Sequence, residues 1–260
     1  MKLVDPAEIL SAADERGFRR VLVVTALPIE MKAARAHLKH LGSCRARDGN
    51  VFELGQFSGT GDEWLTVVAE SGAGNDAAQA TVTNAFRDFG PFELAIFVGV
   101  AASRKKSDAP IGTVVISNQV YSTTNGKYTD GELLTRARVF PADTRLVGLA
   151  RWVARKERWP ERLCPPYSGK SPNDECYPKP YPPAAIIAPI VSVGAVSADL
   201  NSALERQIDH AYQDAVGLEM EGYGAMFAAF SEQTPTIIVR GISDMREGKN
   251  PELDKRGLSR

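Results

Sequence analysis

Compact apolar runs rich in valine and isoleucine recur along this chain and limit the folds open to it. The first, Arg20-Val21-Leu22-Val23-Val24-Thr25-Ala26-Leu27, has the pattern of a strand buried on both faces. Leu94 to Val100, Gly112 to Ser117, Ala185 to Val193 and Thr236 to Asp244 also read as strands. Val51 to Phe57 and Trp64 to Ala69 look like a pair of strands around the turn-rich Ser58-Gly59-Thr60-Gly61-Asp62. Helical spacing fills the intervals. A helix is predicted from Pro6 to Arg16 with Asp5 as its cap. Another starts at Pro28, carries Met31, Ala34, Leu38 and Leu41 on one face, and ends at Gly42. Further helices are predicted from the Gly72–Ala78 stretch to Phe89, from Asp143 to Arg158, from Asp199 to Tyr212 and from Glu221 to Phe230.

Length and composition narrow the function classes. A chain of 260 residues allows one large domain or two small ones, and no internal repeat divides it. Half of the 16 prolines fall between Pro160 and Pro183, interleaved with Tyr167, Tyr177 and Tyr181. Strand-like sequence resumes directly afterwards, so 160–183 reads as a loop on the surface of a single domain, 1–260, rather than a linker. The apolar share of 43% and charged share of 24% are those of a soluble globular protein. With a net charge of −1, nothing global points to nucleic acid or a membrane surface. No apolar run reaches the roughly 18 residues that span a bilayer, and the N-terminus lacks a signal peptide's pattern, so a cytoplasmic location is the default expectation. Cys44, Cys164 and Cys176 are widely spaced, which supports neither a zinc site nor a disulfide framework. His37, His40 and His210 read as solvated surface residues, so Ser-His-Asp and Cys-His chemistry are disfavoured, and no metal or cofactor is expected.

The candidate chemistry lies in carboxylates. In Gly217-Leu218-Glu219-Met220-Glu221-Gly222, two glutamates stand two apart, and an extended segment would point both to one face. The apolar run from Thr236 then delivers Arg240 and Asp244 at its polar end. Two carboxyl groups and a cation there suit acid-assisted cleavage; the same residues would also serve as strand caps and surface ion pairs. Glu30 falls in the first turn after a strand's carboxyl end, the crevice where open α/β sheets bind ligands. It would equally complement the helix dipole. Gly72-x-Gly74-x-x-Ala77 matches a dinucleotide fingerprint on paper, but the next strand ends in small and apolar residues where a ribose-binding acid is required. That loop therefore reads as a tight turn near a small ligand. Gly99 to Ala102 is a run of small residues suited to close approach of something flat or polar to backbone. Ser103-Arg104-Lys105-Lys106, next along, could face an anionic group or form a plain solvated loop.

Taken together, Thr25-Ala26-Leu27-Pro28-Ile29-Glu30, Ser71-Gly72-Ala73-Gly74, Val98-Gly99-Val100-Ala101-Ala102, Glu219-Met220-Glu221-Gly222 and Val239-Arg240-Gly241-Ile242-Ser243-Asp244 resemble the purine nucleoside phosphorylase and nucleosidase superfamily. Within it the chain is closest to the methylthioadenosine/S-adenosylhomocysteine nucleosidases. The resemblance covers Val21 to about Asp244, and its last two motifs, in this order and separation, are the specific ones.

The resemblance implies a three-layer α/β/α fold around a twisted, mixed central sheet, and cleavage of a purine N-glycosidic bond. It implies roles residue by residue. Glu30 looks like the carboxylate that holds and activates the attacking water. Asp244 looks like the acid that protonates the purine at N7, with Ser243 as its orienting neighbour. Glu221 looks like the ligand of the ribose hydroxyls, with Met220 against the sugar face. Arg240 resembles the cation that helps place Glu30 and the water. Further substrate contacts fall at Glu219, Gly99, Val100 and Ala102, and base contacts around Val196. Where phosphorylases of the superfamily hold phosphate with basic side chains, this chain has Pro28 to Glu30 and Phe97, so water is the expected nucleophile.

The pattern is also broken in places. Val100 stands where nucleosidases often have a serine, Ala102 and Ser103 replace a glycine pair, and the Ser-Gly-Asp motif expected near the base survives only as Ser192-Val193-Gly194-Ala195. The closing C-terminal helix of the family is expected to be missing. With the basic loop at Arg104 to Lys106, this opens a substrate carrying 5′-phosphates, as in adenine-nucleotide nucleosidases that act as antiviral effectors. The expected partner is a small purine nucleoside or nucleotide, and family members usually form homo-oligomers. A phosphate-dependent phosphorylase, and a catalytically silent nucleoside-binding sensor domain of a larger assembly, are the other readings left open.

Overall fold

A computed structural model of the protein describes residues 3–59, 61–123, 126–129, 132–156, 184–195 and 202–245. In chain order these form α1 (Pro6–Glu15), β1 (Arg19–Thr25), α2 (Pro28–Arg35), β2 (Lys39–Arg45), β3 (Val51–Ser58), β4 (Glu63–Glu70), α3 (Asn75–Phe89) and β5 (Leu94–Ser103). There follow β6 (Val114–Ser122), β7 (Gly126–Thr129), β8 (Glu132–Thr135), β9 (Arg138–Pro141), α4 (Thr144–Ala154), β10 (Ala185–Ser192), α5 (Ala203–Ala211), β11 (Gly217–Glu219), α6 (Gly222–Ser231) and β12 (Thr236–Met245). The chain divides into two compact units. One holds Met1–Gly99 with Met220–Ile238, and the other Val100–Glu219 with Val239–Arg260. The whole 160–183 loop, the position Val196 and everything after Met245, including any closing helix, lie outside the described residues.

In the first unit, β1 runs parallel to β4 on one side and to β5 on the other, pairing Val21 to Val24 with Leu94 to Phe97. Beyond β4 the ladder turns antiparallel through β3 to β2. The apolar runs are buried as their composition requires: Leu22, Leu54, Leu65 and Val67 are fully enclosed, and Phe52 packs on Phe89 with ring centroids 4.9 Å apart. The predicted cap of α1 is present, with the Asp5 carboxylate accepting the Ala7 amide at 2.8 Å.

The predicted helix from Pro28 to Gly42 is half right. It stops at Arg35, and Lys39–Arg45 becomes a strand against β3. Leu38, placed on the helical face by its spacing, lies beyond the helix and instead covers the bare face of Gly55, where an added Cβ would sit 2.8 Å from it. Leu41, placed on the same helical face by its spacing, is instead exposed on β2. His40 is on that strand too, its Nδ1 3.6 Å from Glu53.

Helices α3 and α6 pack together at their first turns. The Gly224 amide donates to Asn75 Oδ1 at 2.8 Å, and a Cβ on Gly224 would lie 1.9 Å from the Asn75 carbonyl oxygen. Only glycine fits at that crossing.

In the second unit, β6 is the middle strand. It pairs in parallel with β10 over Val114 to Ser122, and antiparallel with β12 through Val114 to Ile116, then with β9 through Gln119 to Ser122. Strand β11 pairs in parallel with β10 and antiparallel with the end of β5, at Ala102 and Ser103. Thus β6 continues beyond the predicted Ser117, because partners hold both edges of its polar second half. The sheet is mixed, and the α/β expectation holds.

Both terminal nitrogens of Arg104 are engaged at the end of α5. Its guanidinium donates to the carbonyls of Ile208 at 3.2 Å and Ala215 at 3.0 Å, to that of Tyr212, and to the Asp209 carboxylate at 3.0 Å. Carbonyls left over at a helix C-terminus are a natural seat for a buried cation. The solvated-loop and anion-binding readings of this residue are both replaced by a structural one.

Two stability outcomes follow. Gly224→Ala should lower unfolding free energy in urea by about 1–3 kcal/mol, because backbone must shift to admit the methyl group. Arg104→Ala should cost about 1.5–3 kcal/mol, while Lys106→Ala, at an exposed position, should change stability by less than about 0.5 kcal/mol.

Candidate active site

Parallel strands end in carbonyls and the helices that follow begin in unpaired amides, so the carboxyl edge of β1 and β4 is polar by construction. Thr25 and Glu70 close these two strands in register. The Thr25 carbonyl accepts the Ser71 amide at 2.8 Å and the Ser71 hydroxyl at 3.2 Å, which anchors the turn after β4 on the end of β1. Gly72 and Gly74 take φ of 74° and 105°, conformations open to glycine and strained for other residues. The Gly74 amide is thereby aimed at Glu221, whose Oε1 accepts it at 3.1 Å. The tight turn read from the sequence is therefore a carboxylate holder.

Glu30 stands at the same edge of the first unit. Its Oε2 reaches back over the first turn of α2 and accepts the amides of Ala26 at 2.8 Å and Leu27 at 2.9 Å. Only 8% of the residue is exposed. Pro28 makes this geometry cheap, since its ring presets the first helical turn and it has no amide to satisfy. Beside α2 opens a cavity of about 630 Å³, where Lys32 and Arg35 face Glu53 and Glu70.

The alternation argument for Glu219 and Glu221 does not survive. Strand β11 ends at Glu219, and Glu221 is the cap residue of α6 with φ −126° and ψ −25°. The two carboxylates take different partners: Glu221 the Gly74 amide, Glu219 the guanidinium of Arg240. Met220, half-buried between them in sequence, begins the return of the chain to the first unit.

In the second unit Arg240 and Glu219 form an ion pair whose side chains are 0% and 1% exposed. Farther along β12, the Ser243 hydroxyl donates to Asp244 Oδ2 at 2.9 Å. Asp244 Oδ1 is buried and has no hydrogen-bond partner among the described residues. Val100 is half-buried, whereas Ala102 is 7% exposed and paired with Leu218. Gly99 is the last residue of the first unit's segment and is half-buried.

Other nucleophiles and ligands fit less well. Cys44 is fully enclosed, and burial pushes its thiol up to about 11, far from a reactive thiolate. Among the described residues no cluster of His, Cys, Asp and Glu is arranged to hold a metal ion, and no helix is long and apolar enough to cross a membrane. The residue that sequence reasoning missed is Asn75. Its side chain fixes the start of α6, and hence Glu221, through a contact spanning 149 positions that no local pattern announces.

Known structures share this architecture. S-adenosylhomocysteine nucleosidase from Streptococcus pyogenes, solved with 5-methylthiotubericidin, superposes with a TM-score of 0.70 at 18% identity, over 94% of this chain and 91% of its own. Methylthioadenosine/S-adenosylhomocysteine nucleosidase from Colwellia psychrerythraea, solved with adenine, gives 0.69 at 19% identity, over 93% and 89%. A futalosine hydrolase mutant from Helicobacter pylori gives 0.63 at 19% identity, over 86% and 89%. A search among curated proteins returns no match. At these identities the likeness is one of fold. The model of the phosphorylase superfamily matches residues 20–257, and with nearly the whole chain inside that match, the protein belongs to this superfamily.

Proposed function

We propose that the protein hydrolyses the N-glycosidic bond of a purine nucleoside, releasing free base and a ribosyl product. The observation that carries this reading is the placement of Glu30. The amides of Ala26 and Leu27 at the start of α2 are the sort of site that binds phosphate, and here the chain's own carboxylate takes both. An anion fixed there repels phosphate and favours water as the nucleophile.

In this reading water adds to the ribose C1′ and gives a proton to Glu30, while the bond from C1′ to the purine N9 breaks. Asp244 gives its proton to N7, so that the base leaves neutral, and Ser243 orients the acid. The sugar becomes oxocarbenium-like, and Glu221 holds its hydroxyls through bonds that strengthen as charge develops. Met220 lies against the sugar face, and Arg240 is the cation that helps place the water. The nucleosidases of similar fold support the choice of a purine: one was solved with adenine and another with 5-methylthiotubericidin.

The 5′ substituent is a finer part of the same proposal. Arg104 is spoken for by α5, which leaves Lys105 and Lys106 as the cations of that loop. An unphosphorylated 5′ group therefore fits this chain better than a triphosphate.

Incubation with methylthioadenosine, adenosine, AMP and ATP, followed by chromatography for adenine, should show release from the first two in the absence of phosphate. Strict dependence on added phosphate would make the enzyme a phosphorylase. Asp244→Asn should abolish turnover and leave ligand affinity within roughly tenfold, about 1.4 kcal/mol. Glu30→Gln should lower kcat by about 10²–10⁴-fold, and retention of full activity by either variant would remove that residue from its role.

A further inference from the structure

We infer that Glu219 acts through Arg240: it is a positioning residue that fixes the guanidinium plane, and neither member of the pair touches substrate. The inference rests on the proposed hydrolase reading for what Arg240 then does, and on the geometry of the pair for the rest.

Both side chains are sealed from solvent, at 0% for Arg240 and 1% for Glu219. Neither backbone has slack. Glu219 is opposite Ser192 in the β10–β11 ladder, and its carbonyl also accepts the Val193 amide at 2.8 Å. Arg240 is opposite Val115 in the ladder of β12 with β6. Arg240 Nη2 donates to Glu219 Oε2. A guanidinium is planar, with five donors in a fixed fork, so tying one arm sets the direction of the others.

Stability does not account for such a pair. Two charges removed from water lose more hydration than their attraction returns unless the geometry is excellent, and an apolar pair of similar volume often serves the fold as well or better. What a buried pair gives that an apolar one cannot is a cation held in one orientation. Glu221, two residues on in sequence, takes a backbone amide in the first unit instead. Glu219 was expected from the sequence to contact substrate; enclosed against Arg240, it is better suited to hold that residue still.

The test is a double-mutant cycle on the full-length protein, with Glu219→Gln, Arg240→Met and both together, each assayed below its own melting temperature. Glu219→Gln should lower kcat at least tenfold and leave KM within about threefold. In the Arg240→Met background the same change should cost less than about twofold, because its effect travels through a residue already removed. Equal losses in both backgrounds would mean that Glu219 acts directly on substrate, and an unchanged kcat in folded Glu219→Gln would mean a purely structural role; either overturns the inference. A second readout does not need activity. The Arg240 Nε–H resonance, assigned by its loss in Arg240→Met, should be sharp and slow to exchange in the wild type and broadened in Glu219→Gln. If no nucleoside is cleaved, the hydrolase reading falls while this signal still decides whether Glu219 fixes Arg240. An unchanged signal refutes it.

Discussion

Backbone amides that a helix cannot satisfy in its own first turn govern this molecule. At the carboxyl edge of β1 and β4, two such groups of amides are met by carboxylates from the chain itself: Glu30 closes on Ala26 and Leu27, and Glu221 accepts Gly74. A buried polar group without a partner costs more than a hydrogen bond contributes, so these contacts fix the loops that carry them. They also fix two acids at one edge of the sheet, in a family whose fold is shared with nucleosidases. The structural reading of Glu30 as a helix cap and the functional reading as a base do not compete. In the proposed reaction the cap would hold the base in place.

Where the sequence was informative, the signal was local. Asp5 and Pro28 punctuate helices through their own backbone chemistry, and the valine-rich run of β1 is buried as its composition requires. The errors lie where a distant partner decides. Lys39 to Gly42 left the predicted helix because β3 offers an edge to pair with, and Gly42 gives room for Val4 beside it. Glu219 and Glu221 were read as one alternating pair, yet the strand ends between them and each side chain is claimed by a residue far away in sequence. The candidate carboxylates stand out in the sequence because motifs carry them. The side chains that hold them, Asn75 above all, do not, since their meaning exists only after α3 and α6 meet.

Cations show the same division. Arg104 looked available for an anionic ligand because three basic residues stand in a row, but a guanidinium beside leftover helix carbonyls finds acceptors without leaving the protein. Arg240 went further and became fully enclosed, compensated by Glu219. Neither outcome is visible in net charge, which is near zero for the whole chain. Charge in this protein is spent on internal geometry as much as on its surface.

The way the polypeptide is shared between its two units bears on how the fold can change. Each unit is assembled from two stretches of chain, and the boundaries fall inside β5, at the turn after β11 and inside β12. Neither unit corresponds to a contiguous stretch of gene, so exon-like shuffling could not exchange one while sparing the other. Strands β5 and β12 each serve both units, so a change in either strand is felt in both.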